Sequence, residues 1–221
     1  MNDINWNIIF KNLEKWRENI AVEDPSVTTV AENYRRDPWA VLVSTIISLR
    51  TKDEVTIVAS QRLLKKADTP KKLNAIKEAE IEKLIYPAGF YRNKTASLKK
   101  IASILLEKYN GEVPSSMEAL LALPGVGRKT ANLVLTEAFD LDGLCVDIHV
   151  HRISNRCGWL NSNTPEETEM ILREILPRKY WKRINYLLVL YGQKLCRPVS
   201  PFCSRCVIKK HCLQNEVDKQ R

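Results

Sequence analysis

Four cysteines near the C-terminus are close enough in sequence to hold a metal centre. They follow the pattern Cys-x6-Cys-x2-Cys-x5-Cys, at Cys196, Cys203, Cys206 and Cys212. Four-cysteine zinc sites usually contain two C-x2-C pairs, and this segment contains one. The spacing therefore fits a [4Fe–4S] cluster better, while zinc stays an alternative. Cys145 and Cys157 fall outside the pattern and are expected to be small core residues.

A second segment, which runs from Leu123 to Lys129 as Leu-Pro-Gly-Val-Gly-Arg-Lys, can bind an anion. Gly125 and Gly127 allow a sharp turn after the proline, and a helix is expected to begin near Arg128. The first amides of a helix lack partners within it and lie at its positive end, so this turn can hold a phosphate without reading a base. Walker and dinucleotide-binding loops need glycines that this segment lacks. The alternative is a tight turn between helices with an exposed lysine.

Lys129 and Asp147 are the candidate catalytic residues. A lysine is a nucleophile only as the neutral amine, and the positive helix end and Arg128 both disfavour a cation at Lys129. Asp147 follows an apolar run and stands where a carboxylate caps the next helix. An anion near a lysine favours the charged amine, so Asp147 is expected to handle protons and to stabilise a positive transition state.

Helices must position these residues, because apolar side chains recur at helical spacing and the sequence has no alternating strand pattern. One such stripe consists of Trp6, Ile9, Phe10, Leu13 and Trp16. Asp37-Pro38 is a helix start signal, and Thr164 with Glu167 three residues later predicts a capping box. The chain is therefore predicted to be all-α, with roughly ten helices.

Composition and charge limit the class of protein. The 221 residues are 44% apolar and 28% charged, as in globular proteins, and the net charge of +9 favours a polyanionic partner. The N-terminal sequence does not resemble a signal peptide, and the most apolar stretch, 39–49, is too short to span a bilayer. We expect a cytoplasmic, nucleoid-associated, prokaryotic monomer with reduced cysteines.

Three motifs that occur in order resemble the endonuclease III family of helix-hairpin-helix DNA glycosylases. They are the hairpin with Lys129, the segment Val146-Asp147-x-His149-Val-x-Arg152, and the four-cysteine tail. The resemblance implies an all-α fold in which two helical domains flank a DNA-binding cleft. A six-helix domain with the helix-hairpin-helix motif is expected at residues 31–141, and an iron–sulfur cluster domain is expected to combine residues 1–30 and 142–221.

The resemblance also implies the reaction. A damaged base, typically an oxidised pyrimidine, is flipped out of duplex DNA. Lys129 matches the family nucleophile that attacks the sugar and forms an imine, and β-elimination then cuts the strand 3′ to the abasic site, as in base excision repair. Asp147 matches the essential aspartate, and the four cysteines match the [4Fe–4S] ligands. Alternatives are a mismatch thymine or uracil glycosylase, an adenine glycosylase, and a non-catalytic iron–sulfur DNA-binding protein.

Further DNA contacts are carried over from the family. They are expected at Gly125, Val126, Gly127, Arg128, Arg50, Asp53, Phe90 and His149. Phe90 matches a residue that wedges into the duplex, and the alternative is an ordinary core aromatic. Arg50 stands where many relatives carry a glutamine that fills the gap left by the flipped base, and Ile148 replaces a threonine. Arginine differs from glutamine in shape and charge, and isoleucine lacks the hydroxyl of threonine, so these two departures bear on lesion preference and on hydrogen bonding near Asp147.

Overall fold

The computed structural model describes residues 4–221, and the first three residues of the N-terminal segment discussed above lie outside it. Within the described residues the chain is 64% helical and has no strand, which confirms the all-α prediction. It divides into two compact units, Asp24–Leu141 and the combination of Met1–Glu23 with Asp142–Arg221. None of the helices between residues 4 and 221 is long and apolar enough to cross a membrane.

The unit Asp24–Leu141 carries the hairpin. Its eight helices are α2 (Ser26–Asn33), α3 (Pro38–Ser48), α4 (Asp53–Lys66), α5 (Pro70–Ala75), α6 (Glu78–Ile85), α7 (Tyr91–Lys108), α8 (Met117–Leu121) and α9 (Arg128–Phe139). Every residue of α3 from Trp39 through Ile47 is buried, and the helix contacts α2, α4, α7 and α9. A helix that is apolar on all sides must be surrounded, and α3 is the centre around which these four helices pack.

The second unit carries the cysteines. Its helices are α1 (Trp6–Glu18), α10 (Ile148–Cys157), α11 (Pro165–Ile175) and α12 (Trp181–Lys194). The apolar stripe of α1 is buried at Trp6, Ile9, Phe10 and Leu13. Phe10 stacks on Tyr180 with ring centres 4.0 Å apart, and the Trp6 indole donates to the Ile175 carbonyl at 3.0 Å. These contacts are why the N-terminal helix folds with the C-terminal third of the chain.

The chain passes between the two units at two positions, before Asp24 and after Leu141. The domain limits at residues 31 and 141 stay a prediction. Helix α2 packs against α3 and α4, and the Ser26 amide donates to Asp53 Oδ1 at 3.3 Å. The segment before residue 31 is therefore held by the helices that follow it.

Candidate active site and cysteine-lined cavity

The turn between α8 and α9 has the backbone geometry that its glycines predict. Gly125 has a φ of +79°, a conformation that side-chain-bearing residues rarely adopt. Val126 is buried, and its amide donates to the Leu123 carbonyl at 3.1 Å, which closes the turn. Gly127 is the N-terminal cap of α9 and has no side chain with which to cap it, and the position of its absent Cβ meets open space. The start of α9 is thus accessible to an anion.

Lys129 is the second residue of α9 and is half-buried. Helix α9 is held in place by its packing along α3, and its residues Ala131, Val134 and Leu135 are buried. The Asn132 side chain donates to the Arg128 carbonyl at 3.1 Å and stabilises the first turn. The sequence therefore places Lys129 in the first turn of α9, at the positively polarised end of the helix.

Asp147 caps α10, as its position after an apolar run predicts. Its Oδ1 accepts from the amides of His149 at 2.8 Å and Val150 at 3.0 Å, and the residue is 9% exposed. Both bonds end on the same oxygen, so capping occupies one of the two carboxylate oxygens. Ile148, the departure noted above, is 67% exposed beside it and presents an apolar surface next to the carboxylate.

His149 is half-buried and contacts Arg152, which in turn contacts the cysteine-bearing segment. Its Nδ1 lies 3.1 Å from an Arg152 guanidinium nitrogen. The same nitrogen of Arg152 donates to the carbonyls of Gly192 at 3.3 Å and Cys196 at 2.8 Å. The start of α10, with its aspartate and histidine, is therefore linked through one arginine to the first cysteine of the cluster pattern.

Arg50 and Phe90 lie together on two neighbouring loops. The Arg50 guanidinium carbon is 5.5 Å from the centre of the Phe90 ring, a cation–π contact. Phe90 is 61% exposed, so the alternative of an ordinary core aromatic is wrong. A Cβ on Gly89 would collide with the Arg50 carbonyl oxygen, and glycine there allows the loops to touch. Asp53, by contrast, accepts from the Ser26 amide at 3.3 Å and so has a structural contact within its own unit.

Lys94 on α7 is a residue that the sequence analysis missed. It is 6% exposed, and its Nζ donates to the carbonyls of Ile47 at 2.7 Å and Leu49 at 2.6 Å and to Thr51 Oγ1 at 2.7 Å. Burial lowers the pKa of Lys94 to about 8. A signal was present, because Lys94 continues the buried stripe of Leu98, Ile101 and Leu105 on α7, and a charge in such a stripe requires partners.

The four predicted metal ligands line one cavity, together with Cys157, and none of the six cysteines, all within the described residues, forms a disulfide. Among residues 4–221 no three His, Cys, Asp or Glu side chains gather in a way that could hold a single metal ion. The cysteines instead surround a space. Cys145 and Cys157 are both buried, as expected. Cys157 also lines the cavity, where its hydrogen bond with Cys212 lowers the pKa of Cys212.

Hydrogen-bond donors point at three of these sulfurs. The Tyr191 hydroxyl donates to Cys206 Sγ at 3.1 Å, Arg156 donates to Cys196 Sγ at 3.4 Å, and the Gln214 amide donates to Cys212 Sγ at 3.4 Å. Burial raises the pKa of Tyr191, which keeps this hydroxyl protonated. Arg156 is itself buried and is fixed by the carbonyls of Arg197 at 2.8 Å and Pro198 at 3.1 Å. Burial raises the pKa of Cys203 and of Cys206, and the hydrogen bond from Tyr191 acts in the opposite direction on Cys206, because donors to sulfur favour the thiolate.

Comparison with known proteins identifies the family. Residues 43–178 match the HhH-GPD superfamily of base excision DNA repair proteins. Endonuclease III of Thermotoga maritima is 49% identical over 176 residues, which cover 80% of this chain and 83% of that protein. The chain belongs to the endonuclease III family. Endonuclease III homolog 1, chloroplastic, of Arabidopsis thaliana is 45% identical, and the match covers 79% of this chain but 48% of that longer relative.

Solved structures of endonuclease III share the fold. A non-covalent endonuclease III–DNA complex matches with a TM-score of 0.83 at 30% identity, covering 97% of this chain and 96% of that one. A trapped endonuclease III–DNA covalent intermediate matches with a TM-score of 0.81, also at 30% identity, over 94% of this chain and 93% of that one. A thermostable thymine-DNA glycosylase has a TM-score of 0.74 over 93% of this chain and 97% of that one, and at 24% identity it attests the fold alone.

Proposed function

We propose that this chain is a bifunctional DNA glycosylase and AP lyase that excises oxidised pyrimidines from duplex DNA. As a member of the endonuclease III family it is a base excision repair enzyme with duplex DNA as its partner. The observation that carries the proposal is Lys129, half-buried at the start of α9, directly after a turn whose amides can hold a phosphate.

Lys129 is the proposed nucleophile. As its Nζ bonds to C1′ of the sugar, the bond from C1′ to the base breaks, and the base leaves with that electron pair and takes up a proton. Opening of the sugar gives an imine, which accepts the electrons released when a proton leaves C2′. The 3′ phosphate is then expelled, and the strand is cut by β-elimination. Asp147 is the proposed group that accepts and returns protons during these steps.

The four cysteines are proposed to hold a [4Fe–4S] cluster, for which each thiolate would supply one iron ligand. Their arrangement around a shared cavity supports a cluster over a single zinc ion, which needs its ligands gathered at one point. Donors to three sulfurs and the buried Arg156 charge suit a negatively charged thiolate set. The cluster would act as a structural centre that fixes the loops between the cysteines.

Iron and sulfide analysis tests the cluster. Protein purified without oxygen is expected to contain about four irons and four sulfides per chain. Replacing Cys203→Ser should sharply lower both, because a ligand is lost. Cys145→Ser is the matched control, since Cys145 is equally a buried cysteine but does not line the cavity, and it should keep the full complement. Protein with stoichiometric zinc and no sulfide would contradict the assignment.

A substrate panel tests the reaction. Duplexes with thymine glycol, dihydrouracil, uracil, a T:G mismatch or an abasic site are incubated with the enzyme, and products are compared with and without heat–alkali treatment. We expect excision of the two oxidised or reduced pyrimidines and cleavage of abasic strands without alkali. Activity confined to uracil and T:G would support a mismatch glycosylase, and binding without any product would support the non-catalytic alternative.

We propose further that the enzyme acts at the nucleoid of a prokaryote. The 49% identity to a bacterial endonuclease III supports this source, although relatives also come from plants and animals.

A further inference from the structure

The Arg50 and Phe90 loops share an unusual backbone. Arg50 has a φ of +52° and Phe90 a φ of +54°, which places two side-chain-bearing residues in the left-handed region. Such conformations cost free energy and persist only where the surroundings hold them. Both side chains are exposed, and the arginine lies against the ring. Something beneath the surface must therefore maintain these two loops.

Lys94 supplies that support from below. An ammonium group has three donors, and all three are used, on the carbonyls of Ile47 and Leu49 and on the Thr51 hydroxyl oxygen. The carbonyls belong to the C-terminal end of α3, where a cation is electrostatically favoured. Two of the three acceptors, Leu49 and Thr51, immediately flank Arg50. The lysine thus fixes the backbone on both sides of the arginine.

The same network fixes Phe90. Thr51 Oγ1 also accepts from the Gly89 amide at 3.1 Å, and the Lys94 amide donates to the Phe90 carbonyl at 3.1 Å. Gly89, which precedes Phe90, is therefore joined to the Arg50 loop and to the Lys94 ammonium through the Thr51 hydroxyl, whereas the bond to the Phe90 carbonyl is a backbone bond of the first turn of α7. Because Lys94 is 6% exposed, these bonds are shielded from competing water.

We propose that Lys94 is a positioning residue that holds Arg50 and Phe90 as one rigid unit for insertion into duplex DNA beside the flipped-out nucleotide. The inference rests on the proposed function, since it assumes a base that leaves the stack. It adds that the arginine and the aromatic ring act together, and that a buried lysine with no contact to DNA determines how well they insert.

Lys99 provides a matched control on the same helix. Its Nζ donates to the carbonyls of Asn74 at 2.6 Å and Ile76 at 3.0 Å and so stabilises a different loop, at the end of α5. Lys94→Met and Lys99→Met each remove one ammonium that bonds to backbone carbonyls. Only the first removes support from the Arg50 and Phe90 loops, so a difference between the variants reports positioning rather than general stability.

The test uses a duplex with a stable tetrahydrofuran abasic site and the fluorescent base 2-aminopurine opposite it. Insertion unstacks the orphan base and raises its emission. At saturating protein, Lys94→Met should lose most of this rise, whereas Lys99→Met should keep it. On a cleavable abasic duplex, Lys94→Met should lower kcat/KM by about 10- to 100-fold, the usual effect of misplacing a group by about 1 Å. Lys94→Arg, which keeps the charge and several donors, should restore part of both signals.

Each outcome decides the question. Full emission with Lys94→Met, equal losses in the two methionine variants, or no rise with the wild-type chain would overturn the inference. If Lys94→Met fails to fold, Thr51→Val replaces it, because valine has the shape of threonine and removes only the hydroxyl that joins Lys94 to Gly89. A wild-type chain that raises the emission but never cleaves abasic DNA would contradict the proposed function and leave this inference standing.

Discussion

Lys129→Gln is expected to abolish the covalent adduct that borohydride traps between this protein and abasic DNA. Borohydride reduces an imine to a stable amine, so an adduct forms only where an amine has attacked the sugar. Glutamine has a similar length and helix propensity but no nucleophilic amine, so α9 should be preserved. Strand cleavage at the abasic site should fall by about 10³-fold or more, as when other enzymes lose their nucleophile. A gel shift of a labelled abasic duplex measures the adduct.

Two further variants distinguish the effect of the Lys129 amine as a nucleophile from the effect of positive charge at the start of α9. Lys129→Arg keeps a cation at the start of α9, and it should also form no adduct because a guanidinium is not nucleophilic at neutral pH. Arg128→Lys retains Lys129 and should still form the adduct at saturating protein. An adduct of normal yield in Lys129→Gln would reject the assignment, and mass mapping would identify the amine that reacted. Lys94 is a poor substitute, since its three donors are already engaged inside the protein.

The helix starts were predictable because their signals are local. Asp37 accepts from the Ala40 amide at 2.8 Å, and Thr164 accepts from the Glu167 amide at 3.1 Å, as the cap residues indicate. The second half of the capping box differs, because the Glu167 carboxylate bonds to the Asn163 amide at 2.7 Å, one residue earlier than the rule places it. Each of these contacts spans four residues or fewer and depends little on the rest of the fold.

The candidate site was predictable only where a motif carries it. The turn at Gly125 and the cap at Asp147 follow from residue types in a short window. The exposure of Phe90 does not follow from the local sequence, because an aromatic residue next to a glycine can lie in the core or on the surface. Only the packing of α7 determines which of the two it is. For Lys94 the local signal is its place in the buried stripe of α7, which indicates burial but does not identify its partners. Its acceptors lie 43 to 47 residues away in sequence, and no local pattern encodes which residues they are.

The cysteine-lined cavity illustrates the same limit. Spacing identifies the four ligands of the pattern, since they lie within one short segment. Cys157 and Tyr191 reach the same cavity from α10 and α12, which are adjacent only after folding. The sequence therefore predicts which residues can hold a metal centre but not the hydroxyl, the arginine and the additional thiol that surround it.

Asp147→Asn is expected to lower both base excision and abasic-site cleavage by about 10²- to 10⁴-fold, the range attributed to a positioned acid–base group. Asparagine caps helices as well as aspartate does, and both cap bonds end on Oδ1, an atom that the amide retains. The thermal midpoint should therefore stay close to that of the wild type. Single-turnover rates on a lesion duplex and on an abasic duplex measure the two steps.

Asp37→Asn is the matched control for this variant. Asp37 caps α3 through the Ala40 amide at 2.8 Å, so the same change of carboxylate to amide tests capping without the proposed chemistry. It should leave both stability and turnover unchanged. If Asp147→Asn also turned over at the wild-type rate, the carboxylate would be a helix cap and nothing more. If both variants lost stability equally, the activity loss would belong to the fold. If Asp147→Asn lowers the rate but not the stability, the carboxylate oxygen that does not cap the helix must take part in the reaction. Both cap bonds end on the other oxygen, Oδ1.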